Sequence, residues 1–163
     1  MLSTHDVTHE NIPDLLGRVI ESPYLTIDTR LRTLFEEATM IDEFMTPEDR
    51  KLYPEGLLEG FHLLGLLDHF ISKYINWDKS STYGLNYGLD RVRFVSPMQA
   101  GRPLRFRTTV TAVEPKHNGH LIRFDCVLEH EDADRPGMTA SWLCYQLPTA
   151  EPPLDATGES DTR

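Results

Sequence analysis

The tetrapeptide Glu59-Gly60-Phe61-His62 puts a carboxyl and an imidazole three residues apart in a stretch otherwise dominated by leucine. On a helix this spacing sets both side chains on one face, where they can serve as an acid/base pair. His69 continues the stripe seven residues after His62, so the three can equally form a polar seam at a subunit interface. A lone histidine on an apolar helix is ordinarily hydrogen-bonded and structural, and that reading stays open for His62. The spacing also occurs in carboxylate-bridged metal sites. Those need a second such pair on a helix with further carboxylates converging on it, and none is visible, so neither metal nor cofactor is expected.

The element that must position these residues is apolar around most of its circumference. Leu57, Leu58, Phe61, Leu63, Leu64, Leu66 and Leu67 fall within the first half of a helix read over 56–77, and such a helix is predicted to be buried. Before it, residues 11–20 read as a short peripheral helix capped by Asn11. Tyr24 to Ile27 read as extended. Asp28 then caps a helix whose Leu31, Leu34, Phe35 and Ala38 predict an inward-packed face. Residues 40–54 read as a long loop with one helical turn.

Four strands follow, over 86–95, 104–113, 121–130 and 138–147, each rich in β-branched and aromatic residues. Asn118-Gly119 predicts a tight hairpin with positive φ at both positions. Short antiparallel strands after one long buried helix predict an α+β domain in which a curved sheet wraps the helix. Tyr83, Asn86 and Tyr87 can line a cleft from the sheet side, although strand aromatics are more often core. Residues 1–150 read as one domain and 151–163 as a disordered polar tail.

With 163 residues, 39% of them hydrophobic, the chain can close one core, and no apolar run is long enough to span a membrane. The first ten residues lack the basic-then-apolar order of a secretory signal, which predicts cytoplasmic residence. Cys126 and Cys144 sit in strand-like runs and read as inert buried thiols. A net charge of −10 argues against nucleic acid as a partner. Arg91, Arg93, Arg102, Arg105 and Arg107 can nevertheless draw an anionic ligand to a pocket mouth, or simply face solvent.

The run Asn86-Tyr87-Gly88-Leu89-Asp90-Arg91-Val92-Arg93-Phe94, followed by Ser96-Pro97 and Gly101, resembles a segment of MaoC-like dehydratases and their nodulation-protein-like relatives. Ser22-Pro23-Tyr24-Leu25-Thr26-Ile27 and Leu58-Glu59-Gly60-Phe61 are similar to that family's first strand and helix start. The resemblance spans most of residues 15–148. It implies a hotdog fold, commonly dimerised, that binds acyl thioesters of coenzyme A or of a carrier protein. It also implies a hydratase/dehydratase, a lyase specific for the (R) configuration.

In that family the thioester carbonyl is held by the backbone N–H of a helix-start glycine, a place matched by Gly60. Uncapped N–H groups and the helix dipole suit a developing oxyanion. The alternative is that Gly60 is small because the sheet approaches closely. Asn86, Tyr87 and Gly88, in the matched run, are expected at the substrate. The family's loop Asp and His are not matched. With Thr39 aligned to its threonine, the Asp position falls on Ile41 and the His position near Thr46, and no histidine occurs between Glu10 and Phe61. Any acid/base chemistry is then expected from Glu59, His62 or, with a shift of register, Asp42. The alternatives are a non-catalytic subunit paired with an intact-dyad chain in a heterodimer, or an acyl-ligand binder without catalysis.

Overall fold

The computed structural model describes residues 6–149, and the tail expected over 151–163 lies outside them. A 3-10 turn, Ile12–Leu15, leads into strands β1 (Val19–Glu21) and β2 (Leu25–Thr26), then helix α1 (Thr29–Ala38). Another 3-10 turn, Ile41–Glu43, and the short helix α2 (Pro47–Arg50) precede the long helix α3 (Gly60–Tyr74). Strands β3 (Thr82–Phe94), β4 (Pro103–Lys116), β5 (Gly119–His130) and β6 (Met138–Pro148) complete the chain. The sheet is antiparallel, in the order β1-β4-β5-β6-β3, with β2 also on β4.

The alternation expected of half-buried strands governs the core. Leu104, Phe106 and Val110 of β4, Ile122, Phe124, Cys126 and Leu128 of β5, and Met138, Ala140, Trp142 and Cys144 of β6 all point inward. They meet Leu63, Leu67, Phe70 and Ile71 of α3 in one cluster. Phe70 stacks on Phe106 with ring centroids 4.9 Å apart and planes 3° from parallel, which fixes the helix against β4. The fold is a hotdog: one long helix held by a curved antiparallel sheet. Both cysteines are free and buried, and burial pushes each thiol up to about 12, which leaves them unreactive.

Several local expectations are corrected. Residues 11–20 do not form one helix. Gly17, at φ 78°, ends the 3-10 turn so that Val19 and Ile20 can pair with Thr109 and Thr108. The segment is not peripheral either, since Ile12 and Leu15 are core residues. Helix α1 does not pack an apolar face inward. Leu31 and Leu34 are exposed, and its only buried residue is Glu36. Helix α3 starts at Gly60 rather than near Gly56, and is covered on one side only, with Phe61 74% exposed.

The hairpin between β4 and β5 turns on His117-Asn118, because Lys116 pairs with Gly119. His117 carries the positive φ of 50°. Gly119 is demanded by a close approach instead: a Cβ there would collide with the carbonyl oxygen of Gln146.

Strand β3 closes one edge of the sheet, paired only with β6. It bulges between Asn86 and Gly88 and between Asp90 and Arg93. Tyr83, Leu85, Tyr87, Leu89 and Phe94 along it are all about half exposed. An edge strand this long and apolar is normally paired or covered.

Truncating the stacked ring that joins helix to sheet leaves a cavity at the centre of the core. Phe70→Ala is expected to lower stability by about 3–5 kcal/mol in urea unfolding, whereas exposed Phe61→Ala should cost under about 1 kcal/mol.

Candidate active site at the start of the long helix

Backbone pairing places Glu59. Leu58 N–H donates to the Met98 carbonyl at 2.8 Å, and Leu57 bridges Gln99, so the loop is tied to the β3–β4 connection two residues before the helix begins. Glu59 is the N-cap of α3 in extended conformation, and no side chain caps that helix end. Its first N–H groups therefore lack intrahelical partners. Gly60 occupies the first helical position, and a Cβ built there would lie 2.6 Å from the ring of Phe94. The close-approach reading of this glycine thus has a structural basis.

Over the helix start lie α1 and α2. Glu36, 4% exposed, accepts from Arg32 Nε at 2.9 Å and from Arg50 Nη1 at 3.0 Å, both on Oε1. Helix α2 delivers Arg50 through a capping box in which Thr46 and Asp49 bond reciprocally. Glu36 and Glu59 line the same cleft, and each acts on the protonation of the other. One oxygen of Glu59 is buried with no partner, while its own backbone N–H bonds the carboxyl. These groups, with Ile41, Met45, Tyr53 and Leu57, line a cleft of about 430 Å³.

The two carboxyls are driven apart by their surroundings. Burial, and then the adjacent Glu36 charge, hold Glu59 above the usual carboxylate range. Burial alone would raise Glu36 as well, but the hydrogen bonds from Arg50 and Arg32 outweigh it and hold this group below that range. Such divergence is the environment that separates an acid from its carboxylate neighbour.

The other expected site residues are placed as follows. His62 is buried and stacked on Phe35, with centroids 4.6 Å apart and planes 9° from parallel. Its Nδ1 has no partner, burial holds its pKa below the ordinary value, and no hydrogen bond joins it to Glu59. Asp42 is exposed in the 3-10 turn and does not line the cleft, though its charge acts on Arg50. Asn86, Tyr87 and Gly88 lie elsewhere, in a groove between α3 and β3 lined also by Leu64, Gly65 and Asp68. That groove continues past Asp68, Asn86 and Trp142 toward Ile75 and Tyr83.

Strand β3 runs antiparallel beside α3, and Phe94 stands where this seam meets the helix start. None of the five arginines named from the sequence lines the cleft. Arg105 is bound to Glu129 at 2.7 Å and Glu21 at 2.9 Å. Among the described residues, no group of three or more His, Cys, Asp or Glu side chains converges as metal ligands would.

Sequence reading missed Glu36, Arg32 and Arg50. The Arg32–Glu36 spacing is visible as an i, i+4 pair, but nothing local marks it as buried or brings Arg50 to it.

No family model matches the chain. It is 29% identical over 146 residues to nodulation protein N of Rhizobium leguminosarum bv. viciae, covering 85% of this chain and 91% of that protein. It is 28% identical over 142 residues to 3-hydroxyacyl-thioester dehydratase Z of Mycobacterium tuberculosis, covering 82% and 93%. Among solved structures, the MaoC-like dehydratase from Rhodospirillum rubrum superimposes with a TM-score of 0.66 at 13% identity, over 86% of this chain and 98% of that one. The C-terminally truncated HadBC complex of Mycobacterium tuberculosis, a 3R-hydroxyacyl-ACP dehydratase, gives 0.63 at 16%, over 82% and 97%. Both structural likenesses establish the fold.

A carboxyl whose folded-state pKa is raised adds stability that is complete below its unfolded value and is lost as pH rises through the folded pKa. Glu59 is such a group. The melting temperature of the wild type, minus that of Glu59→Gln, is therefore expected to fall as pH rises from the ordinary glutamate range toward neutrality. A difference that rises over that interval would show that Glu59 is stabilised as the anion.

Proposed function

We propose that this chain, a MaoC-like hotdog protein over its described residues 6–149, is a hydratase/dehydratase-like lyase acting on an acyl thioester of coenzyme A or of a carrier protein. The observation that carries the reading is the joint placement of Glu59 and Gly60 at the uncapped start of α3, beside a cleft. A thioester carbonyl on the helix-start N–H groups would have its negative charge stabilised as the C2 proton is removed.

Glu59 then supplies the proton inventory. In dehydration the C2–H bond breaks and its electron pair forms the C2=C3 bond. The C3–O bond breaks with its pair on oxygen, and Glu59 gives that oxygen a proton to release water. The C2 proton returns to the Glu59 carboxylate so formed, and hydration is the reverse. The acyl chain would follow the α3–β3 seam past Asn86, Tyr87 and Gly88. His62, neutral and stacked on Phe35, supports the helix start from within, and Asp42 is the more distant acid.

The unpaired edge and half-exposed apolar side chains of β3 favour association through that strand, as a homodimer or with a second hotdog subunit. The setting proposed is the cytoplasm. In support, no described helix is long and apolar enough to cross a membrane.

A second reading is favoured by one observation: no histidine occurs between Glu10 and Phe61. In this reading the chain shapes the site of a heterodimer whose partner carries an intact Asp/His dyad. The likeness to a complex of two hotdog chains supports it.

Purified protein is expected to hydrate 2-enoyl thioesters, followed by loss of the conjugated absorbance. Glu59→Gln should lower kcat about 10²–10⁴-fold, and His62→Ala should act mainly through stability. No turnover across several chain lengths would sink the catalytic reading. Activity that appears only on co-expression with an intact-dyad subunit, and survives Glu59→Gln, would establish the second.

A further inference from the structure

The proposed function assigns the acid role to Glu59 and gives no role to Glu36. Yet Glu36 is the one fully buried residue of α1. An ionised carboxylate taken out of water costs several kcal/mol unless it is paired and hydrogen-bonded. Here the pairing is doubled and one-sided. Arg32 and Arg50 both donate to Oε1, leaving the second oxygen without a guanidinium. Across from it, Glu59 presents a buried oxygen that nothing else satisfies. Two ionised carboxylates in contact would repel, whereas a single proton between them removes the repulsion and satisfies the orphan oxygen.

We propose that Glu36 is the positioning residue of this site: fixed by Arg32 and Arg50, its carboxylate accepts a hydrogen bond from Glu59 and so presents Glu59 to the cleft as a carboxylic acid. This rests on the reading of Glu59 as the reacting acid. The charge inventory agrees with it. Two guanidiniums, one carboxylate and one neutral acid carry a net charge of +1. When Glu59 gives its proton to a departing oxygen the set becomes neutral, and the arginines that held Glu36 now also stabilise the anion left on Glu59. The Glu36 charge thus keeps the proton in place beforehand, and the two guanidiniums ease its departure.

The charged and titratable groups around the pair are few. Arg32 comes from α1, Arg50 from α2, and Tyr53 and Glu55 from the following loop. Asp42 acts through Arg50, and His62 lies behind on α3 and is kept neutral by burial.

The test uses the full chain labelled with ¹³C at the glutamate carboxyls, titrated by NMR, together with pH profiles of kcat/KM for enoyl-thioester hydration. One resonance, missing in Glu59→Gln, is expected to titrate above the other glutamates and to move down toward them in Glu36→Gln. In the same variant the limb of the pH profile that reports Glu59 should shift the same way, and kcat/KM should fall about 10²-fold. A purely structural ion pair would lower stability and leave that limb in place. Should Glu36→Gln fail to fold, Glu36→Asp, which withdraws the carboxylate by one methylene, carries the same expectation at smaller amplitude.

The proposal is overturned if the Glu59 resonance titrates with the solvent-exposed glutamates in the wild type, or if folded Glu36 variants leave it unmoved. Because the titration needs no substrate, the two readings fail separately. A raised, Glu36-dependent Glu59 without turnover removes the catalytic function alone. Glu59-dependent turnover with an unshifted limb removes the role of Glu36 alone.

Discussion

A helix that is apolar nearly all round needs cover on every side, and this chain covers α3 on one. The Phe70–Phe106 stack and the inward rows of β4, β5 and β6 bind the face carrying Leu63, Leu67 and Ile71. The opposite side is left with β3 at arm's length, a seam lined by Gly65, Asp68 and Gly88, and a helix start overlaid by two short helices. Both grooves and the exposed edge follow from that incomplete enclosure. Burial on one side supplies the stability, and the shortfall on the other supplies the places where something else can bind.

The polar cluster at the helix start is the second consequence. Helix α1 leaves its leucines, Leu31 and Leu34, exposed. What it inserts instead is Glu36, and a buried carboxylate then requires Arg32 from its own helix and Arg50 from the next. Of the two ion pairs, Arg32–Glu36 lies within α1, and Arg50–Glu36 is the side-chain link from α2 to α1. Salt acts weakly on such partly shielded pairs.

Much of the architecture was legible from residue pattern. The four long strands follow their β-branched and aromatic runs to within a few residues, and Asp28 caps α1 through a 2.8 Å bond from Leu31 N–H. The failures share one cause, which is that local pattern does not say what lies opposite. Leu31, Leu34, Phe35 and Ala38 have helical spacing, but among them only Phe35 meets an aromatic partner, His62. Residues 11–20 look helical until Val19 and Ile20 are drawn to Thr109 and Thr108, some 90 positions away. At the site, Glu59 and Gly60 could be picked out because they are adjacent in sequence. Glu36 and Arg50 could not, since their meeting depends on the path of the intervening loop.

Phe94 sits at a junction whose meaning is thermodynamic. Its ring lies across Gly60, and its strand is the free edge of the sheet. A molecule reaching the Gly60 N–H must accommodate that ring, and a chain pairing along β3 must accommodate it too. Two binding events that act on one side chain are linked, and linkage is reciprocal: whatever factor edge association applies to ligand affinity, the ligand applies to association. If this chain assembles along β3 and takes a ligand at the helix start, as proposed, the two events would be coupled through Phe94, and an affinity measured for one would carry the state of the other within it.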